Sequence, residues 1–274
     1  MLKEKKIGII GAGNMGEVLT KALISKCGIP PENIKIADVD ASRLKDIERT
    51  YGIHTVAENS GASKGTDLLI LAVKPQIMET VLEEISAELE ASTLVISIAA
   101  GFTIHNIEER LGSSCRIIRV MPNTPAMIGF GASALAAGKN ILKRDMEMAR
   151  RIFDSVGITV TVDESLMDAV TGLSGSGPAY GFIVIEALTD AGVSMGLSRD
   201  ISLKLASQTM LGAAKLCLEG EKTPSQLKDM VTSPAGTTIE GIKALERAGL
   251  RAALINAVEA ATQRSRKLGG KKID

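Results

Sequence analysis

Up to about residue 160, short apolar runs alternate with segments whose apolar positions recur every three or four residues. The runs at 7–10, 34–37, 68–73, 94–100, 117–121 and 158–162 are dominated by apolar residues, as expected for strands covered on both faces. Amphipathic stretches between them, such as 17–26 and 77–89, read as helices. Strands separated by helices predict a parallel sheet in a Rossmann-type, doubly wound α/β domain. After about residue 163 the texture changes, and no further strand is predicted. Ser198 is placed to cap a helix over 199–218, and Thr223-Pro224-Ser225-Gln226 reads as a capping box with proline at the first helical position. Thr237-Thr238-Ile239-Glu240 reads as another capping box, and a last helix is predicted over 250–267. The expected organisation is therefore an α/β domain over 1–163 and an all-helical domain over 164–274, with a loose tail at 269–274. The helical half is rich in Ala and Gly, and the stretch 172–192 is too apolar for the surface of a monomer. A homodimer built through this half is expected.

Composition narrows the function classes. A chain of 274 residues with 45% hydrophobic and 23% charged residues has room for two domains with real cores. Lys plus Arg and Asp plus Glu each total 32, and aromatic residues make up 2% with no Trp, which argues against a nucleic-acid partner. Cys27, Cys115 and Cys217 are neither a disulfide framework nor a zinc spacing. The charged start of the chain leads into a short apolar stretch that reads as a first strand rather than a signal peptide. No run approaches the ~18 apolar residues of a membrane helix, so a soluble, cytoplasmic protein is expected. The two histidines, His54 and His105, stand beside no motif and read as surface residues. A Ser–His–Asp hydrolase and a His/Cys metal site are poor readings.

The sharpest local motif is Gly11-Ala12-Gly13-Asn14-Met15-Gly16, between the first strand and a helix. Such a context is what a dinucleotide-binding turn requires: Gly11 for the turn, Gly13 for approach to the pyrophosphate, Gly16 for helix–strand packing. The helix N-terminus would then offer amides to the phosphates. The second strand ends at Asp38, where an acid accepts from the adenosine ribose and repels a 2′-phosphate, favouring NADH. Arg43 stands close enough to attract that phosphate instead, Asp40 is a second candidate acid, and Asp38 could serve only to cap the turn. NADPH and NADH both remain open. Lys74, held extended by Pro75, reads equally as a phosphate or substrate contact and as a solvated lysine. The segments Ala99-Ala100-Gly101 and Met121-Pro122-Asn123-Thr124-Pro125 are small or proline-fixed surfaces for a flat nicotinamide.

In the helical half, Val231-Thr232-Ser233-Pro234-Ala235-Gly236-Thr237-Thr238-Ile239 ends one helix and starts another with hydroxyls, a ready place for a small carboxylate. Plain capping by Thr237 with Glu240 accounts for it equally well. With Ala72-Val73-Lys74-Pro75, Leu173-Ser174-Gly175-Ser176-Gly177-Pro178-Ala179-Tyr180 and the glycine motif, this stretch closely resembles pyrroline-5-carboxylate reductase, from Ile7 to about Lys267. The resemblance implies reduction of the C=N bond of 1-pyrroline-5-carboxylate to L-proline by NADPH or NADH. It places the substrate carboxylate at Ser233, Gly236 and Thr237, and the ring nitrogen at the Thr238 hydroxyl, a hydrogen-bonding partner and proton donor. It adds Asn59 at the adenosine ribose, and Ala72, Lys74 and Met121 along the cofactor. It also implies dimers interlocked through the helical domain, often as pentamers of dimers, and no metal. The family often carries small or hydroxyl residues where this chain has Asp38. A β-hydroxyacid dehydrogenase shares the plan but needs a base, and residues 175–185 contain no lysine. A non-catalytic dinucleotide sensor or scaffold is the remaining alternative.

Overall fold

The computed structural model describes residues 2–270; Met1 and 271–274, most of the expected loose tail, lie outside the described residues. The chain forms two compact units, one comprising everything up to Ser176 and again from Glu259, the other Gly177–Val258.

The first unit is built on an eight-stranded sheet. In chain order its elements are β1 (Ile7–Ile10), α1 (Asn14–Ser25), β2 (Ile34–Ala37), α2 (Ala41–Tyr51), β3 (His54–Val56), α3 (Asn59–Ser63), β4 (Leu68–Leu71), α4 (Met78–Ile85), β5 (Leu94–Ser97), α5 (Ile104–Leu111), β6 (Arg116–Met121), β7 (Gly131–Ala137), α6 (Lys143–Asp154), β8 (Gly157–Thr161) and α7 (Met167–Val170). The strand order is β3-β2-β1-β4-β5-β6-β7-β8. Pairing is parallel from β3 through β6, β7 runs antiparallel to β6, and β8 is parallel to β7. The sheet is thus mixed at one side rather than wholly parallel. β7 leaves no apolar signature in the sequence, because its residues, Gly131-Ala132-Ser133-Ala134-Leu135-Ala136-Ala137, include a single large apolar side chain. β3 is only three residues long and lies at the sheet's edge.

The continuous apolar strands divide their side chains between two cores. Ile7, Ile9, Ile34, Ile36, Leu68 and Ile70 pack on one face with Leu19, Leu23 and Phe153. Ile10, Leu69, Leu71, Val95 and Ile117 pack on the other with Met78, Leu82 and Ile107. Period-two orientation with both sides buried is why these strands read as apolar runs rather than as strict alternation. The unit continues past the last strand: Met167 of α7 is buried with Ala134 and Ala136 of β7. A π-helical turn, Thr171–Gly175, follows.

The second unit holds α8 (Gly177–Ser194), α9 (Arg199–Glu219), α10 (Pro224–Met230), α11 (Thr237–Arg247) and the beginning of α12 (Leu250–Leu268). The Ser198 cap forms, its Oγ accepting from the Ile201 N–H at 3.4 Å. The Thr223 box forms too, with Gln226 Oε1 accepting from the Thr223 N–H at 2.9 Å. The predicted box at Thr237–Glu240 does not: Gly236 is the N-cap and Thr237 is already the first helical residue. Glu240 pairs forward with Lys243 at 2.9 Å instead of reaching back. α8 and α9 approach closely, since a Cβ at Gly192 would lie 2.1 Å from Ser202 Oγ. Ser202 Oγ in turn donates to the Thr189 carbonyl at 2.6 Å. Among the described residues of this unit, only Thr189, Ser202 and Ala206 are buried, whereas Phe182, Ile183, Leu205, Leu216 and Leu218 are more than half exposed. Helices that leave this many apolar side chains bare lack a core of their own.

Candidate active site

The glycine motif occupies the crossing from β1 to α1, at the carboxyl end of the sheet. Gly11 has φ +105, and a Cβ there would meet the Ala72 carbonyl oxygen at 2.5 Å. A Cβ at Gly16 would fall 1.9 Å from the Gly11 oxygen, so the helix can start this close to the turn only without one. At Gly13 a Cβ would meet nothing within 4 Å. Gly13 is the N-cap of α1 and supplies no side-chain cap, so the first amides of α1 stay open to an anion. Two glycines demanded by packing and one facing open space form a cradle that fits a dinucleotide pyrophosphate. Asn14 is exposed beside Gly13, and Met15 is half-buried against the core.

The carboxylate of Asp38 reaches into the same turn. Its Oδ2 accepts from the Ala12 N–H at 2.6 Å and its Oδ1 from the Asp40 N–H at 2.9 Å. Asp40 caps α2, accepting from the Ser42 and Arg43 amides, which commits it to the helix rather than to a ribose. Arg43 Nε donates to the Ala12 carbonyl at 2.9 Å, and its guanidinium pairs with Glu17. The second Glu17 oxygen accepts from the Tyr51 hydroxyl at 3.0 Å. Burial, and then the bond to Glu17, raise the Tyr51 pKa above its ordinary value. Glu17 reads from the sequence only as the start of an amphipathic helix, and Tyr51 carries no signal at all. The one local signal was an acid in the first turn of the helix that opens at the glycines.

The other expected cofactor residues differ in how far the fold gathers them. Ala72 lies just past β4, its N–H bonded to the Ile10 carbonyl at 2.8 Å and its own oxygen against Gly11. Lys74 is exposed and extended, as Pro75 requires. Asn59 opens α3 and donates to Glu84 at 2.6 Å. Met121 ends β6, where a Cβ at Gly175 would lie 2.5 Å from its methyl carbon. Asn123 fixes the segment beyond, accepting from the Ala132 N–H at 2.9 Å and donating to the Ser174 carbonyl at 3.1 Å. Gly11, Asp38, Ala72 and Met121 thus stand at or just beyond the carboxyl ends of β1, β2, β4 and β6, where open α/β sheets bind ligands.

The second unit carries the hydroxyl-bearing helix start. Ala235 has φ +56 and is the single non-glycine in the left-handed region among the described residues. Strain of this kind, costing about 1–2 kcal/mol, persists where surrounding structure holds it. It turns the chain so that Gly236 N–H meets the Ser233 carbonyl at 3.1 Å and Ser233 Oγ lies where a Gly236 Cβ would be, 2.3 Å away. With glycine as N-cap, the amides opening α11 have no side-chain cap. The helix start therefore presents free amides beside the Ser233, Thr237 and Thr238 hydroxyls, chemistry suited to a carboxylate next to a group that exchanges a proton.

Among the described residues no group of three or more His, Cys, Asp or Glu side chains could hold a metal, and no helix is long and apolar enough to cross a membrane. Cys27 and Cys115 are buried, and burial pushes both thiols up, so neither offers a ready thiolate.

Known proteins match along nearly the whole chain. A family model described as pyrroline-5-carboxylate reductase dimerisation matches residues 164–268, and one described as NADP oxidoreductase, coenzyme F420-dependent, matches residues 6–101. The pyrroline-5-carboxylate reductase of Methanosarcina acetivorans is 50% identical, covering 98% of this chain and 100% of that protein. The solved pyrroline-5-carboxylate reductase of Coxiella burnetii superposes with a TM-score of 0.89 at 38% identity, over 98% of this chain and 99% of that one. That of Plasmodium falciparum, solved with NADP bound, has a TM-score of 0.89 at 35% identity, over 97% of this chain and 99% of that one. Identity at this level over the full length leaves no room for a fold-only likeness, and the chain belongs to the pyrroline-5-carboxylate reductase family.

Proposed function

We propose that this chain reduces the C=N bond of 1-pyrroline-5-carboxylate to L-proline, the closing step of proline biosynthesis, with NADPH or NADH as the electron source. The observation that carries the reading is the start of α11, where a strained Ala235 and a glycine N-cap leave amides and hydroxyls open together. The amides with Ser233 and Thr237 hold the substrate carboxylate. Thr238 Oγ1 faces the ring nitrogen and hands it a proton or a hydrogen bond. The bound dinucleotide supplies the hydride that the imine carbon accepts. Gly11, Gly13, Asn14, Met15 and Gly16 hold its pyrophosphate, Asp38 and Asn59 its adenosine ribose, and Ala72, Lys74 and Met121 lie along its length. A protonated imine is already a good hydride acceptor, so orientation of the two reactants is the main contribution asked of the protein.

Purified protein mixed with racemic pyrroline-5-carboxylate should consume NADPH, NADH or both, with proline as product. A folded protein that binds dinucleotide yet oxidises neither cofactor would overturn the reductase reading and return the dehydrogenase or sensor reading.

The helical unit, 164–274 by the change in sequence texture, is the dimerisation domain, and pentamers of such dimers are the expected larger form. Support comes from Gly177–Val258, where among the described residues Ala206 is the one buried apolar side chain. Ile183, 64% exposed on α8, is harmless to change in a monomer but not in an interface. Ile183→Asp should lower the mass measured by light scattering at micromolar concentration. A wild-type monomer at that concentration would defeat the dimer. A cytoplasmic setting, where buried thiols such as Cys27 and Cys115 stay reduced, belongs to the same reading.

A further inference from the structure

The cluster around Arg43 carries an inference that rests on the reductase reading only as far as dinucleotide binding. We propose that Glu17 sets the dinucleotide preference of this chain: it holds Arg43 against the glycine-rich turn and neutralises it, so that the dinucleotide without a 2′-phosphate binds better.

A phosphate on the adenosine 2′ position needs a cation close to the end of β2. Arg43, in the first turn of α2, is the basic side chain bonded to the glycine-rich turn among the described residues. Its guanidinium is committed twice, to the Ala12 carbonyl and to Glu17. The Arg43 and Glu17 side chains are each about one-third exposed, so the pair is shielded on most sides yet not sealed from solvent. Tyr51 closes the arrangement by donating to the other Glu17 oxygen. With its pKa raised, the phenol stays protonated and keeps donating. Asp38 completes the discrimination. Each of its oxygens accepts one backbone amide and keeps a lone pair for a ribose hydroxyl, while its charge opposes a phosphate. Glu17 thus cancels a charge that would welcome the phosphate, and Asp38 adds one that repels it.

The test is a fluorescence titration of the full chain with NADPH and with NADH, alongside turnover with each. Glu17→Gln keeps the shape and removes the charge, freeing the guanidinium. It should raise the NADPH-to-NADH affinity ratio roughly tenfold, the scale of one charge-assisted hydrogen bond. Asp38→Ser should move the ratio in the same direction. Adding Arg43→Gln to Glu17→Gln should cancel the gain. Should Glu17→Gln fail to fold, Glu17→Asp retracts the carboxylate by one methylene and should give a smaller shift of the same sign. A ratio unmoved by the Glu17 variants while Asp38→Ser shifts it overturns the proposal, as does a gain that survives loss of Arg43. Wild-type protein that is folded and binds neither dinucleotide overturns the reductase reading itself.

Discussion

Thr238→Ala is expected to lower kcat roughly a hundredfold while leaving dinucleotide affinity and fold nearly unchanged. The magnitude follows from what a positioned proton donor contributes, about 10²–10⁴, taken at its lower end because a protonated imine needs less help. Selectivity for kcat follows from position. Thr238 is the second residue of α11, its N-cap is Gly236, and no side chain caps the helix, so losing the hydroxyl removes no structural bond. Alanine is also the better helix former. Ser233→Ala should behave differently, raising KM for the imino acid more than it lowers kcat, because a carboxylate contact is made in ground and transition states alike. Steady-state kinetics with both cofactors, plus a thermal melt for each variant, separates the two. Unchanged kcat in Thr238→Ala would take the hydroxyl out of the mechanism.

What the sequence disclosed depended on how local the physics was. The strands buried on both faces were legible because each contributes to two cores at once, so that apolar residues dominate the run even where Lys35, Ser97 or Arg119 interrupts it. β7 was not, because the closely packed Gly131 and the alanines that follow carry no run of large apolar residues. The glycine motif was legible because its three glycines, its strand and its helix lie within one short stretch. The cluster that governs Arg43 was not, since Glu17 lies 26 residues from Arg43 and 34 from Tyr51 in the chain. The helix start at α11 shows the limit most sharply. Thr-x-x-Glu has the same letters whether the threonine caps the helix or is its first residue. The left-handed Ala235 decides the matter in favour of Gly236, and an alanine gives no sequence signal for that conformation. The consequence is chemical, for a capping threonine would have occupied an amide that the observed arrangement leaves open.

The glycines of the dinucleotide turn should separate packing from binding when each is changed to alanine. Gly16→Ala puts a methyl 1.9 Å from the Gly11 oxygen and 3.0 Å from its carbonyl carbon. Both are backbone atoms that cannot swing aside, so β1 and α1 must part. Overpacking of this kind costs about 3 kcal/mol, or roughly 5–10 °C in Tm for a chain of this size, and binding of either dinucleotide should fall with it. Gly13→Ala should show the reverse pattern. Its φ of −67 suits any residue and its Cβ would meet nothing within 4 Å, so Tm should stay within a degree or two of wild type. The methyl would instead stand where the pyrophosphate must come closest to backbone, and affinity for NADPH and NADH should drop together by about tenfold or more. Thermal melts and fluorescence titrations on the two variants read this directly. A Gly13→Ala protein that binds both cofactors like wild type would mean that the phosphates rest elsewhere, and that the cradle at α1 is a packing feature only.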